Sequence, residues 1–324
     1  MKVLLTGATG FLGGSILAAL QREGYEVRVL VRPGRGGELE NAEIVQGDIT
    51  ERESLVNAVQ GVDFVVHAAA RVETTGRWEE FAAANVRATQ WLIRAASAAG
   101  VRRIVHVSSL SIYAVDRDGV TIDENSPYDS EAAARGGYSR SKLAADRVAL
   151  YEARHGAPVV VLRPGLLYGP GKRPPVARQS FQVGNFKLLL ARRNYPLPLT
   201  YIDNVADAVV LALRVEGIDG QAFTVVDDNV PQGQYVQLFR EISGERWQPV
   251  LLPIGLVALS ARILERVLRL ARRRSPVTYH QVRRATDAAQ FDCRKAHELL
   301  GWSPRVSLRD GLLRCFAARP NTGN

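Results

Sequence analysis

Near its start the chain carries the sequence VLLTGATGFLGG at residues 3–14. Residues 3–6 are apolar or β-branched and predict a short buried strand, and the apolar spacing after Gly10 predicts an amphipathic helix. Gly7, Gly10 and Gly13 lie at the junction. In a strand–turn–helix unit such glycines allow a tight turn, close approach of the backbone to an anion, and close packing of helix on strand. The stretch therefore predicts a dinucleotide-binding turn, with the first helical N–H groups facing the anion.

The chain downstream continues the alternation of strand and helix. Aliphatic or β-branched runs predict six strands, at residues 3–6, 27–31, 44–46, 64–67, 104–108 and 159–163. The helix-like stretches between them lie at residues 11–23, 51–59, 78–99 and 138–155. Such alternation implies right-handed crossovers, and continuous apolar strands imply helices on both faces of the sheet. The predicted fold class is α/β, a doubly wound parallel sheet of the Rossmann type.

After Arg163 this pattern changes, because prolines and glycines interrupt it. A helix at 205–215 and a strand at 223–226 predict a return to the sheet. We therefore predict a dinucleotide-binding domain at residues 1–170 with a return at about 200–226. Residues 171–199 and 227–324 would form a smaller, partly helical C-terminal substrate lobe.

Composition excludes several classes of protein. The 324 residues are 46% hydrophobic and 23% charged, as in ordinary globular domains. Cys293, Cys315 and five scattered histidines predict neither a disulfide framework nor a metal site. No secretory leader is evident, so we expect a cytoplasmic protein. The net charge is +9, but no segment displays the basic and aromatic face of a nucleic-acid-binding protein, so we expect no nucleic-acid partner.

A series of short motifs follows the glycine turn in an order typical of one enzyme family. They are GDI at 47–49, HAAA at 67–70, NVRAT at 85–89, VSSLSIY at 107–113, YSRSK at 138–142, LRPGLLYGP at 162–170 and YIDNVA at 201–206. Over about residues 1–215 the chain resembles the extended short-chain dehydrogenases/reductases, the NAD(P)-dependent epimerase/dehydratase superfamily. It is nearest the 3β-hydroxysteroid dehydrogenase-like and dihydroflavonol reductase-like branch. Ala88 departs from the family, which usually has glycine there.

The resemblance implies a set of cofactor-binding residues. They are Gly7, Thr9, Gly10, Phe11, Leu12, Gly13, Asp48, Ile49, Ala68, Ala69, Ala70, Asn85, Ser108, Tyr138, Lys142, Pro164, Leu166 and Leu167. At the end of the second strand, an acidic residue would bind a ribose hydroxyl and a basic residue a 2′-phosphate. Arg32 and Arg35 occupy this position, and no carboxylate lies between the end of this strand and Glu38. We therefore expect NADP(H) to be favoured, with NAD(H) as the alternative.

Three residues are predicted to carry the chemistry. Tyr138 and Lys142 are four residues apart in a predicted helix and therefore share one face. The resemblance adds Ser109 as the hydroxyl that hydrogen-bonds the substrate oxygen, while Tyr138 exchanges a proton with that oxygen and Lys142 binds the nicotinamide ribose. We expect the charges of Lys142 and of the nicotinamide to lower the pKa of Tyr138.

The residues after Ser109 favour one reaction class. Sugar-nucleotide dehydratases of this superfamily have an acidic pair there, whereas this chain has Leu110 and Ser111. We therefore expect a homodimeric oxidoreductase that interconverts a ketone and a secondary alcohol on a small, lipophilic or steroid-like substrate. One alternative is a non-catalytic cofactor-binding regulator. The other is a nucleotide-sugar epimerase with bound NAD, whose pyrophosphate could be bound by Arg173, Arg178, Arg192 and Arg193.

Residues 251–274 combine apolar residues with arginines. The stretch is too short and too charged to span a bilayer. A helix here could pack into the core of the second lobe or lie on an anionic membrane surface. We expect weak, salt-sensitive peripheral binding to anionic membranes.

Overall fold

The computed structural model describes residues 1–35, 39–73, 75–114, 119–133, 136–176, 180–189, 196–252, 254–270 and 289–317. In chain order its strands are β1 (Lys2–Thr6), β2 (Glu26–Val31), β3 (Ala42–Gln46), β4 (Phe64–His67), β5 (Arg103–Val107), β6 (Val120–Ile122), β7 (Val159–Pro164), β8 (Leu166–Tyr168), β9 (Ser180–Val183), β10 (Phe186–Leu189), β11 (Pro196–Tyr201), β12 (Ala222–Val225), β13 (Asp228–Pro231), β14 (Gln248–Leu251) and β15 (Ala289–Phe291). Its α-helices are α1 (Phe11–Arg22), α2 (Arg52–Ala58), α3 (Trp78–Phe81), α4 (Ala88–Ala98), α5 (Gly137–Arg154), α6 (Ile202–Arg214), α7 (Gln232–Ser243), α8 (Ile254–Leu270), α9 (Arg294–Leu300) and α10 (Leu308–Ala317).

A seven-stranded parallel sheet forms the centre of the molecule, in the order β12-β7-β5-β4-β1-β2-β3. β1 lies between β2 and β4, and Val3 pairs with both Val27 and Phe64. The strand order therefore reverses between β1 and β4. In open α/β sheets, ligands bind outside the carboxyl ends of the strands at such a reversal.

Helices cover both faces of this sheet. On one face α1 packs against β1 and β2, and α6 packs against α1, β5 and β7. Leu5, Ile16 and Val209 belong to the same buried cluster. On the other face α2, α4 and α5 pack together, and Leu4 and Leu92 are buried between them and the sheet. This arrangement confirms the predicted doubly wound α/β fold.

A smaller, partly helical portion adjoins the sheet. It contains one sheet of β8, β11 and β13 and another of β9, β10 and β14. Its core joins strand and helix residues, among them Tyr168, Tyr235, Phe239 and Leu312. The assignment of this portion as a substrate lobe stays a prediction, as do the domain boundaries.

The predicted elements match the observed ones with one informative difference. β12 lies beside β7, where the returning strand is expected. The helix predicted at 78–99 is instead α3, a π-helix at Ala82–Arg87, and α4. Asn85 lies in this wider turn, and its buried amide is hydrogen-bonded to both the backbone nitrogen and the carbonyl oxygen of Arg71. A regular spacing of side chains does not specify such a contact. Among the described helices, none is long and apolar enough to cross a membrane.

Candidate active site

One cleft opens at the carboxyl ends of β1, β4, β5 and β7 and has a volume of about 1200 Å³. It brings together all but one of the predicted site residues: Gly7, Thr9, Gly10, Phe11, Leu12, Gly13, Arg32, Arg35, Asp48, Ile49, Ala68, Ala69, Ala70, Ser108, Ser109, Tyr138, Lys142, Pro164, Leu166 and Leu167. These residues are far apart in the sequence, so it is the fold that brings them together.

The glycine turn is as tight as the sequence predicts. Gly7 has φ +84°, and a Cβ there would lie 2.6 Å from the backbone nitrogen of Ala69. A Cβ on Gly13 would lie 1.9 Å from the carbonyl oxygen of Gly7. Neither position can hold a side chain, because backbone atoms cannot move aside as a flexible side chain can.

The N-terminus of α1 faces the cleft with its N–H groups free of side-chain caps. Gly10 is the N-cap residue, it makes no side-chain cap, and the first turn contains no acidic residue. Such a helix end binds phosphate, because unpaired N–H groups and the helix dipole both favour negative charge. The turn therefore fits the pyrophosphate of a dinucleotide.

The end of β2 presents the two predicted arginines on the rim of the cleft. The backbone nitrogen of Arg35 donates to the carbonyl oxygen of Arg32 at 3.0 Å, and Gly34 in this turn has φ +76°. Both arginines are exposed. Asp48 is engaged locally, since its Oδ1 accepts hydrogen bonds from the backbone nitrogen and hydroxyl of Thr50 at 2.8 and 2.7 Å.

Ser109, Tyr138 and Lys142 meet at the inner end of the cleft. The side chains of Ser109 and Tyr138 are hydrogen-bonded. Lys142 is buried, and its Nζ donates to the carbonyl oxygen of Val107 at 2.8 Å. Burial lowers the pKa of Lys142 to about 8. The group therefore changes charge near neutral pH.

The expected lowering of the pKa of Tyr138 is not found in the protein alone. Burial raises the pKa of Tyr138 above its usual value, and the hydrogen bond with Ser109 lowers it only in part. The phenol is thus protonated at neutral pH and can donate a proton to a neighbouring oxygen.

Asn85 is the one predicted site residue that lies outside the cleft. Its amide oxygen accepts from the backbone nitrogen of Arg71 at 2.6 Å, and its amide nitrogen donates to the hydroxyl of Ser141 at 2.8 Å. The Ser141 hydroxyl in turn donates to the carbonyl oxygen of Tyr138 at 2.8 Å. Asn85 therefore links the loop after β4 to the first turn of α5, which carries Tyr138.

Two buried histidines lie beneath the site. His67 is held between the hydroxyls of Thr6 and Thr89, at 2.7 and 3.0 Å. Burial lowers the pKa of His67 to about 3 and that of His106 well below its usual value. Both rings are therefore neutral at neutral pH. Among the described residues, no group of three or more histidine, cysteine or acidic side chains could hold a metal ion.

Three residues near the site were not predicted from the sequence. Lys172 lines the cleft with its Nζ 5.5 Å from the centre of the Phe11 ring. This places a positive charge beside the N-terminus of α1. Asp146 and Arg163 form a buried ion pair behind Ser108. A signal for Asp146 existed, since it follows Lys142 by one helical turn, but nothing in the sequence pairs either residue with its partner.

This architecture defines a class of enzyme, the NAD(P)-dependent short-chain dehydrogenases/reductases of the extended type. The profile described as "NAD dependent epimerase/dehydratase family" matches residues 3–225, so the chain belongs to that family. This confirms the resemblance drawn from the sequence motifs.

The chain is also similar to individual proteins and to solved structures. A 3 beta-hydroxysteroid dehydrogenase/Delta 5→4-isomerase of Mycobacterium tuberculosis is 30% identical over 263 residues, covering 76% of this chain and 70% of the relative. A 4-hydroxy-2-methyl-3-oxo-4-farnesyl-3,4-dihydroquinoline-1-oxide ketoreductase of Stigmatella aurantiaca is 27% identical over 320 residues, covering 96% of this chain and 95% of the relative. Among solved structures, the crystal structure of gox2253 has a TM-score of 0.83 at 28% identity, covering 98% of this chain and 97% of that one.

Proposed function

We propose that the protein is an oxidoreductase that interconverts a ketone and a secondary alcohol, with Ser109, Tyr138 and Lys142 as catalytic residues. One observation carries this proposal: the three side chains meet in the same cleft as the glycine turn. In the direction of reduction, the Tyr138 hydroxyl donates a proton to the substrate oxygen, and Ser109 hydrogen-bonds that oxygen. The raised pKa of Tyr138 favours this direction, because it keeps the phenol protonated. A bound nicotinamide would supply the hydride.

The cofactor would lie along the cleft from Arg32 to Lys142. The glycine turn and the N-terminus of α1 would hold the pyrophosphate, and Lys142 the nicotinamide ribose. We propose NADP(H) as the favoured form, because Arg32 and Arg35 on the rim offer guanidinium groups to a 2′-phosphate.

The substrate is proposed to be lipophilic. The lining of the cleft includes apolar residues that are not in the cofactor-binding set, among them Val72, Leu110, Pro198 and Phe291. The names of the two relatives describe a steroid and a farnesylated ring ketone, which are substrates of the same character.

The epimerase alternative has less support. Of the four arginines suggested for a nucleotide pyrophosphate, Arg178, Arg192 and Arg193 lie outside the described residues. Arg173 forms a close ion pair with Glu245, in which its Nη2 lies 2.6 Å from both carboxylate oxygens. An arginine already paired in this way offers little charge to a second anion.

A panel of carbonyl compounds with NADPH tests the proposal directly. We expect lipophilic ketones to be reduced, as followed by loss of the absorbance of reduced nicotinamide. Epimerisation of a UDP-sugar incubated with the protein and NAD would favour the epimerase alternative. Cofactor binding without turnover of either carbonyl compounds or UDP-sugars would favour the non-catalytic regulator. Either of these results would contradict the proposal.

We also propose a weak peripheral contact between α8 and anionic membranes. The large apolar residues of this helix face solvent at helical spacing: Leu256 is 64% exposed, Leu259 55%, Ile263 54% and Val267 55%. Its buried side is small, formed by Ala261 with Leu252, Val257 and Ala258. Exposed arginines at positions 262, 266 and 269 lie along one edge of the apolar face. The side of α8 that packs against the protein is therefore the smaller one, and its larger apolar face is exposed. This face and its basic edge match an anionic lipid surface.

Co-sedimentation with vesicles tests this contact. We expect binding to phosphatidylserine-containing vesicles at low salt, and none to phosphatidylcholine alone. Leu259→Ser with Ile263→Ser should abolish the binding, whereas Leu299→Ser on α9, where Leu299 is 48% exposed, should not. A parent protein that stays in the supernatant with anionic vesicles at low salt would rule the contact out.

The proposed homodimer is checked separately by sedimentation velocity, where a monomer would contradict it.

A further inference from the structure

Asp146 and Arg163 form an ion pair in the interior, directly behind the candidate active site. Their side chains are 0% and 1% exposed. Nη2 of Arg163 donates to Oδ2 of Asp146 at 2.7 Å, and Nε donates to Oδ1 at 3.0 Å. Apolar replacement of such a pair is often neutral or stabilising, because each charge loses its hydration on burial. Stability alone therefore does not account for the pair.

Neutral groups complete the surroundings of the two charges. The hydroxyl of Ser108 donates to Oδ1 of Asp146 at 2.6 Å, and the hydroxyl of Tyr128 donates to Oδ2 at 3.1 Å. Nη1 of Arg163 donates to the hydroxyl of Tyr113 at 2.5 Å. With donors on both carboxylate oxygens, the pair has one defined geometry.

The pair joins three segments that supply the site. Ser108 directly precedes Ser109, Asp146 follows Lys142 by one turn of α5, and Arg163 directly precedes Pro164 in the wall of the cleft. A shift of the pair would therefore displace the serine, the lysine and the expected nicotinamide contact together.

The same carboxylate is the negative charge that acts on Lys142. Burial disfavours the ammonium, and Asp146 opposes that effect. The other titratable groups nearby are His67 on β4, His106 on β5 and Arg163 on β7, together with Tyr138 on α5. The histidines are neutral, Tyr138 is protonated, and Arg163 is positive, so none of them stabilises a second positive charge.

We propose that Asp146 and Arg163 are positioning residues for the reaction: the pair holds the serine loop, α5 and β7 in register, and the carboxylate keeps Lys142 in its charged form. This inference rests on the proposed function of Lys142, but part of its test does not require turnover.

The first variant is Asp146→Asn, which keeps the shape and removes the charge. We expect kcat to fall at least tenfold with little change in KM for the carbonyl, because binding of the substrate does not involve the pair. The pH above which kcat and NADPH affinity decline, the alkaline limit of each, should move to lower pH by roughly one unit, since Lys142 would lose its proton more readily. A purely structural role would lower the melting temperature without moving either limit.

A second variant keeps the inference testable if Asp146→Asn fails to fold. The double variant Asp146→Leu with Arg163→Met removes both charges at similar volume and should fold. It should also show a shift to lower pH, smaller than that of Asp146→Asn, because the positive charge of Arg163 is removed together with the carboxylate. Failure of both variants to fold would mean that the pair serves the fold itself, which would overturn the proposal.

Glu152→Gln provides the matched control. Glu152 lies on α5 and pairs with Arg94 at 2.8 Å, two turns further from the site than Asp146. This control should leave both pH limits unchanged. If Asp146→Asn folds and behaves like Glu152→Gln, the proposal is wrong. If the parent binds NADPH but reduces no carbonyl, the pH dependence of NADPH binding still tests the pair, so the two proposals fail separately.

Discussion

At the scale of single residues, the proposed chemistry depends on Tyr138 and its surroundings. Tyr138→Phe removes only the hydroxyl, so we expect turnover to fall roughly a hundredfold to ten-thousandfold while cofactor affinity stays nearly intact. Steady-state rates and cofactor titration check both halves of this expectation. Turnover within threefold of the parent would remove Tyr138 from the mechanism.

Lys142 makes the site sensitive to pH. Because burial lowers its pKa to about 8, the ammonium is present below that pH and is lost as the pH rises through it. Both cofactor affinity and rate should therefore decline above about pH 8. Lys142→Met should reduce affinity and rate together and abolish this alkaline decline. A parent whose NADPH affinity is constant from pH 7 to 10 would contradict the assigned role.

The proposed preference for NADP(H) depends on Arg32. A charge-assisted contact to a phosphate contributes roughly 1.5–3 kcal/mol, so Arg32→Ala should weaken NADPH binding about tenfold or more and leave NADH binding almost unchanged. Arg102→Ala is a suitable control, because Arg102 is exposed and lies outside the cleft. Equal affinity of the parent for the two cofactors would contradict the proposed preference.

At the scale of elements, the junction of β1 and α1 is the most demanding part of the fold. Gly13→Ala would place a methyl group 1.9 Å from the carbonyl oxygen of Gly7, so α1 must move away from the turn. We expect a lower melting temperature and loss of cofactor binding.

The neighbouring glycine offers a control on the same helix. A Cβ on Gly14 would meet nothing within 4 Å. Gly14→Ala should therefore keep cofactor binding and stabilise the helix by roughly 0.5–1 kcal/mol, the difference between glycine and alanine in a helix interior. Similar melting temperatures and cofactor affinities for the two variants would show that the turn is less tight than described.

The elements also separate what the sequence could predict from what it could not. β1, β4 and β5 are buried runs, and the glycine turn has its own local pattern, so each was predictable without tertiary contacts. The π-helix around Asn85 was not, because the hydrogen bonds of Asn85 with the backbone of Arg71 form only in the folded chain. The ion pair of Asp146 and Arg163 was not either, since only the fold brings helix α5 and strand β7 together.

At the scale of the whole molecule, the parallel sheet orders the functional groups along one edge. The arginines after β2 lie at one end of the cleft, and the glycine turn after β1 follows. The proposed catalytic residues after β5 and on α5 lie further along the order of the strands. A dinucleotide bound in such a crevice would bring its reactive ring towards Tyr138. The order of the functional groups along the cleft thus follows from the reversal of strand order.

The central claim is that hydride passes between a nicotinamide and a ketone carbon while Tyr138 moves the proton. The most direct test uses NADPH deuterated at both C4 positions, a lipophilic ketone turned over by the full chain, and mass spectrometry of the alcohol. We expect one deuterium on the carbinol carbon of the product made by the parent protein, and at least roughly a hundredfold less of this product in the same time with Tyr138→Phe. An alcohol that carries no deuterium would contradict the account, because hydride would then not have come from the cofactor.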